Sequence, residues 1–169
     1  MDNFYIDKIL NGDKESFSYI ITQYKDKAFN LAVSIVKDTY QAEEIVQESF
    51  IKCYKKLHTF KREAKFSSWL YRIVVNEAFL FLRKNKRELL KESTFIEHSI
   101  EQLAEENSKA ALVQKAILSL PYNEALVLNL FYLEERKIKE IAAITGWTNS
   151  NIKVMLFRAR KNIRKLLNQ

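Results

Sequence analysis

The sequence has few of the residues that interrupt helices or that build covalent and metal-bound scaffolds. Its 169 residues include two glycines and one proline, and strands joined by tight turns would need more of both, so we expect an all-α protein. The single cysteine, Cys53, and the two histidines, His58 and His98, exclude a disulfide framework and a clustered zinc site. No uncharged run reaches bilayer length, and charged residues interrupt the N-terminal segment, which excludes a secretory signal. We expect a cytoplasmic protein with no cofactor and with Cys53 in its core.

Motifs of the common catalytic sites are also missing. The sequence contains no Gly-rich phosphate loop, no HExxH-like metal pair and no Ser/His/Asp arrangement. Its paired carboxylates are typical of solvated helix or linker charges, and they are Glu43–Glu44, Glu105–Glu106 and Glu134–Glu135. We therefore expect a protein that is not an enzyme and that has no small-molecule substrate.

Charge is plentiful and is segregated along the chain. The net charge of +7 divides into −1 over residues 1–60, +5 over 61–90, −5 over 91–135 and +8 over 136–169. Two basic blocks around an acidic one predict two contacts with nucleic acid, each of which should weaken steeply with salt. The alternative is ordinary surface charge, which seldom segregates this cleanly.

Capping residues and apolar spacing predict four helices in the first half of the chain. The first is expected to end at Asn11–Gly12, the second to run from a cap at Asp13 to about Val36, the third from a cap at Asp38 to about Leu57, and the fourth from a cap at Ser67 or Ser68, over Trp69 to about Arg87.

The domain organisation follows from a change in composition after the fourth helix. Residues 88–106 are polar and acidic with weak periodicity, which is typical of a linker. A second helical unit is expected to begin near Ser108, and Leu120–Pro121 marks a helix stop followed by a new start. We expect two small helical domains, residues 1–87 and 107–169, joined by an acidic linker over residues 88–106.

The C-terminal part contains the most informative pattern. Ala142 stands where two helices must touch, Gly146 follows four residues later where the chain turns, and Ile152 follows six residues after that. This spacing predicts a helix-turn-helix whose second helix enters the major groove of DNA, and the basic segment 158–165 continues that helix. A solvated amphipathic helical hairpin is the alternative.

The third helix is predicted to have two distinct faces. Placed at helical spacing, the core stripe comprises Ala42, Val46, Phe50, Cys53 and Leu57, and the opposite side comprises Tyr40, Glu44, Gln47, Glu48 and Ile51. An apolar centre with a polar rim is typical of a protein-binding surface, although isolated exposed apolar residues are also common.

The fourth helix and the loop before it combine cations with aromatic residues. The predicted core stripe of this helix comprises Leu70, Val74, Ala78 and Phe81. The opposite stripe comprises Trp69, Arg72, Asn76, Arg83 and Arg87. The preceding loop adds Phe60, Lys61, Arg62, Lys65 and Phe66. Cations follow phosphates, an exposed Trp stacks on unpaired bases and Asn bonds base edges, so this surface suits melted DNA. The alternative is that Trp69 packs in the core and the cations are solvated.

Several motifs in fixed order resemble an extracytoplasmic-function sigma factor of bacterial RNA polymerase, within the sigma-70 family, over nearly the whole chain. They are Asp38–Tyr54, Phe60, Phe66–Asn76, Leu118–Pro121 and the helix-turn-helix that ends at Phe157–Arg160. The resemblance implies a two-domain initiation subunit with no catalysis of its own, which directs polymerase to promoters. It also implies contacts with the polymerase flap region, an anti-sigma factor as a further partner, and no membrane insertion.

The resemblance further implies roles for the first domain. Glu44, Gln47, Glu48 and Ile51 would contact the clamp helices of the polymerase largest subunit. A second set of residues would recognise and open the downstream (minus ten) promoter element and would hold a flipped base near Asn76. These residues are Phe60, Lys61, Arg62, Lys65, Trp69, Arg72 and Asn76. The acidic linker would thread the polymerase channel near the active centre.

In the second domain the resemblance implies recognition of the upstream (minus thirty-five) element in the major groove. The expected DNA-facing residues are Asn149, Ser150, Asn151, Lys153, Val154, Phe157, Arg158 and Lys161, with Asn149 and Ser150 also capping the helix. Ile152, Leu156, Ala159 and Ile163 would face the core. The family often has Arg where this chain has Met155, so one cationic contact is expected to be missing.

Two other functions compete with this interpretation. An operator-binding regulator would bind palindromic duplex DNA without polymerase and would self-associate through its first domain, but it leaves the stripe of Trp69 and Asn76 without a role. A polymerase or sigma antagonist, acting purely through protein contacts, leaves the +8 segment over residues 136–169 unexplained.

Overall fold

The computed structural model describes residues 1–89 and 115–167, with side chains described through residue 85 and from 115 to 166. Every regular element in these two ranges is helical, so the predicted all-α class is confirmed. Most of the predicted linker, and the predicted helix start near Ser108, lie outside the described residues. We call residues 1–89 the N-terminal unit and residues 115–167 the C-terminal unit.

Four helices form the N-terminal unit, and side-chain caps set two of their starts. Asp13 accepts hydrogen bonds from the Ser16 amide at 3.3 Å and from its hydroxyl at 2.8 Å, in a 3₁₀ turn that leads into the second helix. Asp38 accepts from the Gln41 amide at 2.8 Å, as predicted. The helices are α1 (Asp2–Leu10), α2 (Phe17–Val36), α3 (Thr39–Lys56) and α4 (Phe66–Leu89).

The start of α4 differs from the prediction. The helix begins at Phe66 rather than Trp69, and Ser67 and Ser68 are buried within its first turn. Neither serine provides the predicted cap, because both lie inside the helix; their hydroxyls instead accept hydrogen bonds from Arg136 of the C-terminal unit. The sequence pattern could not reveal this, since the partner lies far along the chain.

The C-terminal unit contains the predicted helix-turn-helix. Residues 115–118 are helical, and after Pro121 the chain forms α5 (Tyr122–Leu128), which continues as a π-helical turn over Asn129–Leu133, then α6 (Ile138–Thr145) and α7 (Asn149–Leu167). Gly146 has φ +78°, a left-handed conformation that suits glycine, and its amide donates to the Ala142 carbonyl at 2.9 Å. Ile152 is fully buried.

One continuous apolar core runs through both units. Helices α2, α3 and α4 pack on one another, α5 packs on α2, and α6 packs on α4. Cys53 lies in this core as predicted. The two units are therefore in contact, a relationship that the sequence did not predict.

Candidate functional site

The outer face of α3 is exposed as its pattern predicted. Ile51 is 47% exposed and Tyr40 is 65% exposed, and Glu44, Gln47 and Glu48 are also exposed. The opposite stripe, from Ala42 to Leu57, is buried throughout. The outer face therefore contributes little to the core and is free to meet another molecule.

An apolar groove adjoins this face and was missed in the sequence. It lies between α2 and α3 and encloses about 580 Å³. Its floor is aromatic, because the Phe17 ring meets the rings of Phe50 and Tyr54 edge-on, with centroids 6.4 and 5.1 Å apart. The lining residues are Phe17, Ile21, Lys25, Val46, Gln47, Phe50, Ile51, Tyr54 and Lys55. The sequence contains no distinct signal for this groove, because Ile21 continues the apolar spacing of α2 although it is 39% exposed.

Lys52 ties this region to α4. Its ammonium lies 2.6 Å from Glu77 Oε2 and 3.6 Å from Glu48 Oε1. The hydrogen bond with Glu77 raises the pKa of Lys52 above its usual value. Glu48 is thus partly oriented by Lys52, whereas Gln47 and Ile51 face outward beside the groove.

An aromatic cluster anchors the loop before α4. The rings of Phe60, Phe66 and Trp69 have centroids 5.5 to 5.8 Å apart. Trp69 is half-buried, so it combines the two alternatives, packing on its neighbours while still reaching the surface. Beside it lies a cavity of about 250 Å³ lined by Thr59, Phe60, Lys61, Arg62, Glu63, Ala64, Ser68, Trp69, Arg72 and Ala143.

The cations predicted around this cavity have different partners. Lys61 and Arg72 are exposed and line it. Arg62, at φ +62°, is hydrogen-bonded to Asp7, and this bond lowers the pKa of the Asp7 carboxyl. Lys65 lies 3.8 Å from Glu140 of the C-terminal unit.

Asn76 is exposed one turn beyond Arg72 on the same helix face. It is not among the residues that line the cavity. Arg83 continues the exposed stripe, and the side chain of Arg87 lies outside the described residues. The stripe itself is therefore present as far as it is described, with the cavity at its N-terminal end.

All side chains predicted to face the upstream element are exposed on α7, and they are Asn149, Ser150, Asn151, Lys153, Val154, Phe157, Arg158 and Lys161. Phe157 is 67% exposed, a large value for an aromatic residue. The opposite side packs inward through Ile152, Leu156, Ala159 and, in part, Ile163. The two faces predicted for this helix are confirmed.

Two details of this helix were predicted wrongly. Thr148 provides the cap, since its hydroxyl accepts from the Asn151 amide at 3.2 Å, so Asn149 and Ser150 lie within the first turn. Met155 is buried at 8% exposure. A cation at that position would face the core, so Met155 does not mark a missing contact on the exposed side.

The contact between the two units centres on Arg136. Its side chain is 8% exposed, its guanidinium donates to the Ser67 hydroxyl at 2.7 Å and to Ser68 at 3.5 Å, and it lies 5.2 Å from the Tyr71 ring centroid. Tyr71 donates in turn to Glu134 Oε2 at 2.6 Å. We call these five residues the inter-unit contact.

Glu134 was predicted to be a solvated charge, and that prediction was wrong. Its side chain is 8% exposed and lies 3.7 Å from the Lys27 ammonium. Burial, and then the hydrogen bond to Glu134, raise the pKa of Tyr71. Tyr71 and Val75, both buried, were the sequence signal for this surface, because they are apolar residues of α4 outside the predicted core stripe.

Among the described residues, no group of His, Cys, Asp and Glu could hold a metal ion. Burial raises the pKa of the Cys53 thiol to about 12, which keeps it protonated and unreactive at neutral pH. Within the same residues, no helix is both long and apolar enough to cross a bilayer.

Comparison with known proteins identifies both units. The Sigma-70 region 2 family matches residues 20–88 and the Sigma-70, region 4 family matches residues 110–163. The chain is 35% identical to RNA polymerase sigma factor SigV of Bacillus subtilis, over 85% of this chain and 86% of SigV. It is 29% identical to the ECF RNA polymerase sigma factor SigW of the same organism, over 96% of this chain and 94% of SigW.

Two solved structures share the fold. The sigma factor RpoE in complex with the anti-sigma factor NepR from Bartonella quintana has a TM-score of 0.72 at 21% identity, covering 91% of this chain and 98% of that one. CnrH in complex with the cytosolic domain of CnrY has a TM-score of 0.69 at 19% identity, covering 99% and 97%. Sigma factors are in general regulators of transcription rather than enzymes. The chain belongs to the extracytoplasmic-function group of the sigma-70 family and is a sigma factor that directs transcription initiation with RNA polymerase.

Proposed function

We propose that this sigma factor works through three surfaces, which are the outer face of α3 for polymerase, the cavity and stripe of α4 for the downstream element, and α7 for the upstream element. One observation supports the assignment. Each side chain that the motifs assign to these surfaces is exposed or lines the open cavity, whereas the opposite sides of the same helices are buried. These side chains are therefore accessible to a partner, although Phe60 and Trp69 also pack in the aromatic cluster and Arg62 also pairs with Asp7.

For polymerase docking, Glu44, Gln47, Glu48 and Ile51 contact the clamp helices of the largest subunit. Ile51 supplies the apolar centre of the surface, and the groove beside it admits an apolar side chain of the partner. The surrounding carboxylates form the polar rim, which sets orientation more than affinity. The flap region of polymerase meets the C-terminal unit.

Ile51→Asp tests this docking face, and Leu10→Asp is its matched control. The two side chains are almost equally exposed, at 47% and 48%, but Leu10 lies on α1 and is not among the residues that line the groove. Loss of a central apolar contact should weaken binding to core polymerase by about tenfold or more, while Leu10→Asp leaves it unchanged. Equal effects of the two changes on core binding, measured by fluorescence anisotropy, would contradict the assignment.

At the downstream element, the melted strand lies along α4. An unpaired base stacks on Trp69 or Phe60 in the cavity, Lys61 and Arg72 pair with phosphates, and Asn76 bonds a base edge one turn further on. Arg62 is already oriented by Asp7, so it presents its charge in a fixed position. Unstacking a base costs a few kcal/mol, which this preformed site offsets.

At the upstream element, α7 lies in the major groove. Lys153 and Arg158 pair with guanine edges or phosphates, and Val154 and Phe157 lie against thymine methyls or sugar carbons. The exposed first turn directs the backbone amides of Asn149 and Ser150 at a phosphate, and Lys161 extends the contact with the DNA backbone.

The division of labour follows the domain boundaries expected from the sequence, residues 1–87, 88–106 and 107–169. The middle segment threads the polymerase channel, where its acidic charge suits a basic tunnel. The protein acts in the cytoplasm, without chemistry of its own. An anti-sigma factor regulates it, a role supported by the shared fold with the sigma factor RpoE, whose structure holds the anti-sigma factor NepR.

In vitro transcription with core polymerase, a promoter library and this chain tests the proposed function as a whole. Promoter-specific transcripts should appear when the chain is added. Tight binding to duplex DNA without any affinity for core polymerase would favour an operator-binding regulator instead.

A further inference from the structure

We propose that Asp7 of α1 is a positioning residue for selection of the downstream element, because it holds the loop before α4 in one conformation. We call residues 61–65 the downstream loop. The inference rests on the proposed function of the cavity beside Trp69. It gives a role in promoter selectivity to a helix that lies outside residues 20–88, the range that the Sigma-70 region 2 family matches.

The downstream loop receives little support from packing. All five of its residues are exposed, whereas Phe60 before it is half-buried and Phe66 after it is buried. Cavities lie on both sides of the loop. One is the cavity of the proposed downstream site, of about 250 Å³, and the other, of about 260 Å³, lies beside the first turn of α1. Arg62 and Ala64 line both cavities, so the loop is a thin wall with open space on either side.

An ion pair with α1 supplies a restraint that packing does not. Arg62 Nη2 donates to Asp7 Oδ1, and Nη1 donates to Oδ2 at 3.4 Å, so the contact fixes direction as well as distance. Arg62 has φ +62°, which a non-glycine residue keeps only when its surroundings hold it there. The other ion pair of the loop joins Lys65 to Glu140 at 3.8 Å, and it depends on the C-terminal unit. Within the N-terminal unit, Asp7 therefore restrains the loop at its least favourable backbone position.

Helix α1 is itself firmly fixed, so it can serve as an anchor for the loop. Ile6 is fully buried. The Tyr5 ring stacks on the Tyr19 ring of α2, with centroids 3.8 Å apart, and the Tyr24 hydroxyl donates to Asp2 Oδ2 at 2.6 Å. These contacts join α1 to α2, and they place the anchoring carboxylate independently of the loop that it restrains.

The orientation of Arg62 matters because its side chain reaches the DNA site. It lines the cavity with Trp69, and a guanidinium has five N–H donors, so the donors that Asp7 does not engage can bond a phosphate or a base edge there. A donor in a fixed position discriminates between bases, whereas a mobile cation attracts any strand. Asp7 should therefore increase selectivity, although its own negative charge opposes DNA binding in general.

Asp7→Asn in the full chain tests the proposal, and Asp26→Asn is the matched control. Both replace an exposed carboxylate by an uncharged side chain of the same shape, but Asp26 lies on α2 and lines neither cavity. The measurement is transcription by core polymerase with each variant from a promoter library whose downstream element is randomised, followed by sequencing of the transcripts. Asp7→Asn should lower the enrichment of the preferred downstream bases about threefold, and Asp26→Asn should leave it unchanged. Unchanged enrichment in Asp7→Asn, or an equal loss in Asp26→Asn, would overturn the proposal.

A double-mutant cycle separates positioning from a general effect on stability. If Asp7 acts through Arg62, Asp7→Asn should cause no further loss of enrichment in a chain that carries Arg62→Ala. The affinity of Asp7→Asn for a random-sequence single-stranded DNA should be no lower than that of the wild type, because a carboxylate has been removed, whereas damage to the fold would lower it. Additive losses in the cycle, or a fall in this affinity, would overturn the positioning role.

A readout without DNA distinguishes failure of this inference from failure of the proposed function. NMR order parameters of the backbone amides of residues 61–65, measured in the free protein, should be lower in Asp7→Asn than in the wild type and in Asp26→Asn. Unchanged order parameters would overturn the inference and leave the proposed function intact. Lowered order parameters, together with a wild-type protein that selects no downstream sequence, would instead contradict the proposed function and, with it, the role of Asp7 in selectivity.

Discussion

Tyr71 donates a hydrogen bond to Glu134, with 2.6 Å between the hydroxyl and Oε2, and so joins α4 to the segment that leads into α6. The two residues are separated by 63 positions and lie in different family regions. Both are removed from water, and Lys27 is the nearby cation that balances the carboxylate. The contact has consequences for stability that can be measured.

Alkaline pH should destabilise the protein in part through Tyr71. Burial raises its pKa above the unfolded value of about 10, with Glu134 adding to the rise and Arg136 opposing it. The stabilisation is thus fully present below pH of about 10 and is lost as pH rises above it. Tyr71→Phe should reduce the fall in free energy of unfolding above this pH, measured by urea denaturation, at a cost of about 1–2 kcal/mol at neutral pH.

The free energy of unfolding should still fall somewhat with rising alkaline pH in both the wild-type protein and Tyr71→Phe, since burial raises the pKa of Tyr24 as well. Tyr122→Phe is the matched control, because Tyr122 is exposed. If Tyr122→Phe flattened the alkaline slope as much as Tyr71→Phe, the slope could not be assigned to Tyr71.

Asn76→Ala should impair promoter opening more than core binding. Loss of a base-edge hydrogen bond costs about 1–3 kcal/mol, so open-complex formation, followed by permanganate footprinting, should fall on the order of tenfold. Gln23→Ala, on the exposed side of α2, is the control. If Asn76→Ala reduced affinity for core polymerase as much as it reduced open-complex formation, the assignment of Asn76 to DNA recognition would be contradicted.

Lys153→Ala and Arg158→Ala should weaken binding to upstream-element DNA. Each loses a cationic contact, so affinity falls by about 1 kcal/mol or more, and a residue that contacts phosphate also lowers the slope of log K against log salt by about 1. Lys165→Ala, at the far end of α7, should have little effect. Unchanged upstream footprints in both variants would show that α7 does not read this element.

Lys37→Met should stabilise the protein at neutral pH. The Lys37 ammonium is buried and has no hydrogen-bond partner among the described residues, and burial lowers its pKa to about 7. A depressed pKa in a base means that stability falls as pH decreases from about 10.4 towards 7. Removing the amine should therefore raise the free energy of unfolding by about 1 kcal/mol at pH 7, whereas Lys56→Met, at an exposed site, should not. A loss of stability in Lys37→Met would show that the ammonium has a stabilising partner.

Local chemistry made much of this fold predictable. Asp38 is followed by a helical pattern, so its role as a cap could be read directly. Gly146 marks the turn because the left-handed conformation there favours glycine. The exposed sides of α3 and α7 followed from helical periodicity, which separates polar from apolar faces without knowledge of the tertiary structure.

Long-range packing was not predictable in the same way. Arg136 looked like one cation in a basic segment, and its burial depends on two serines nearly 70 positions earlier. The sequence predicts a helix cap at those serines, since a hydroxyl near a helix start fits either role. Glu134 looked solvated beside Glu135, and the partner that buries it is a tyrosine of the other unit.

Transcription by reconstituted polymerase tests the central claim most directly. Core enzyme mixed with this chain and a promoter library should produce transcripts that core enzyme alone does not, and the start sites should share an upstream and a downstream element. Ile51→Asp should reduce these transcripts, because it weakens core binding. A chain that binds duplex DNA tightly, but neither binds core polymerase nor changes its start sites, would contradict the account.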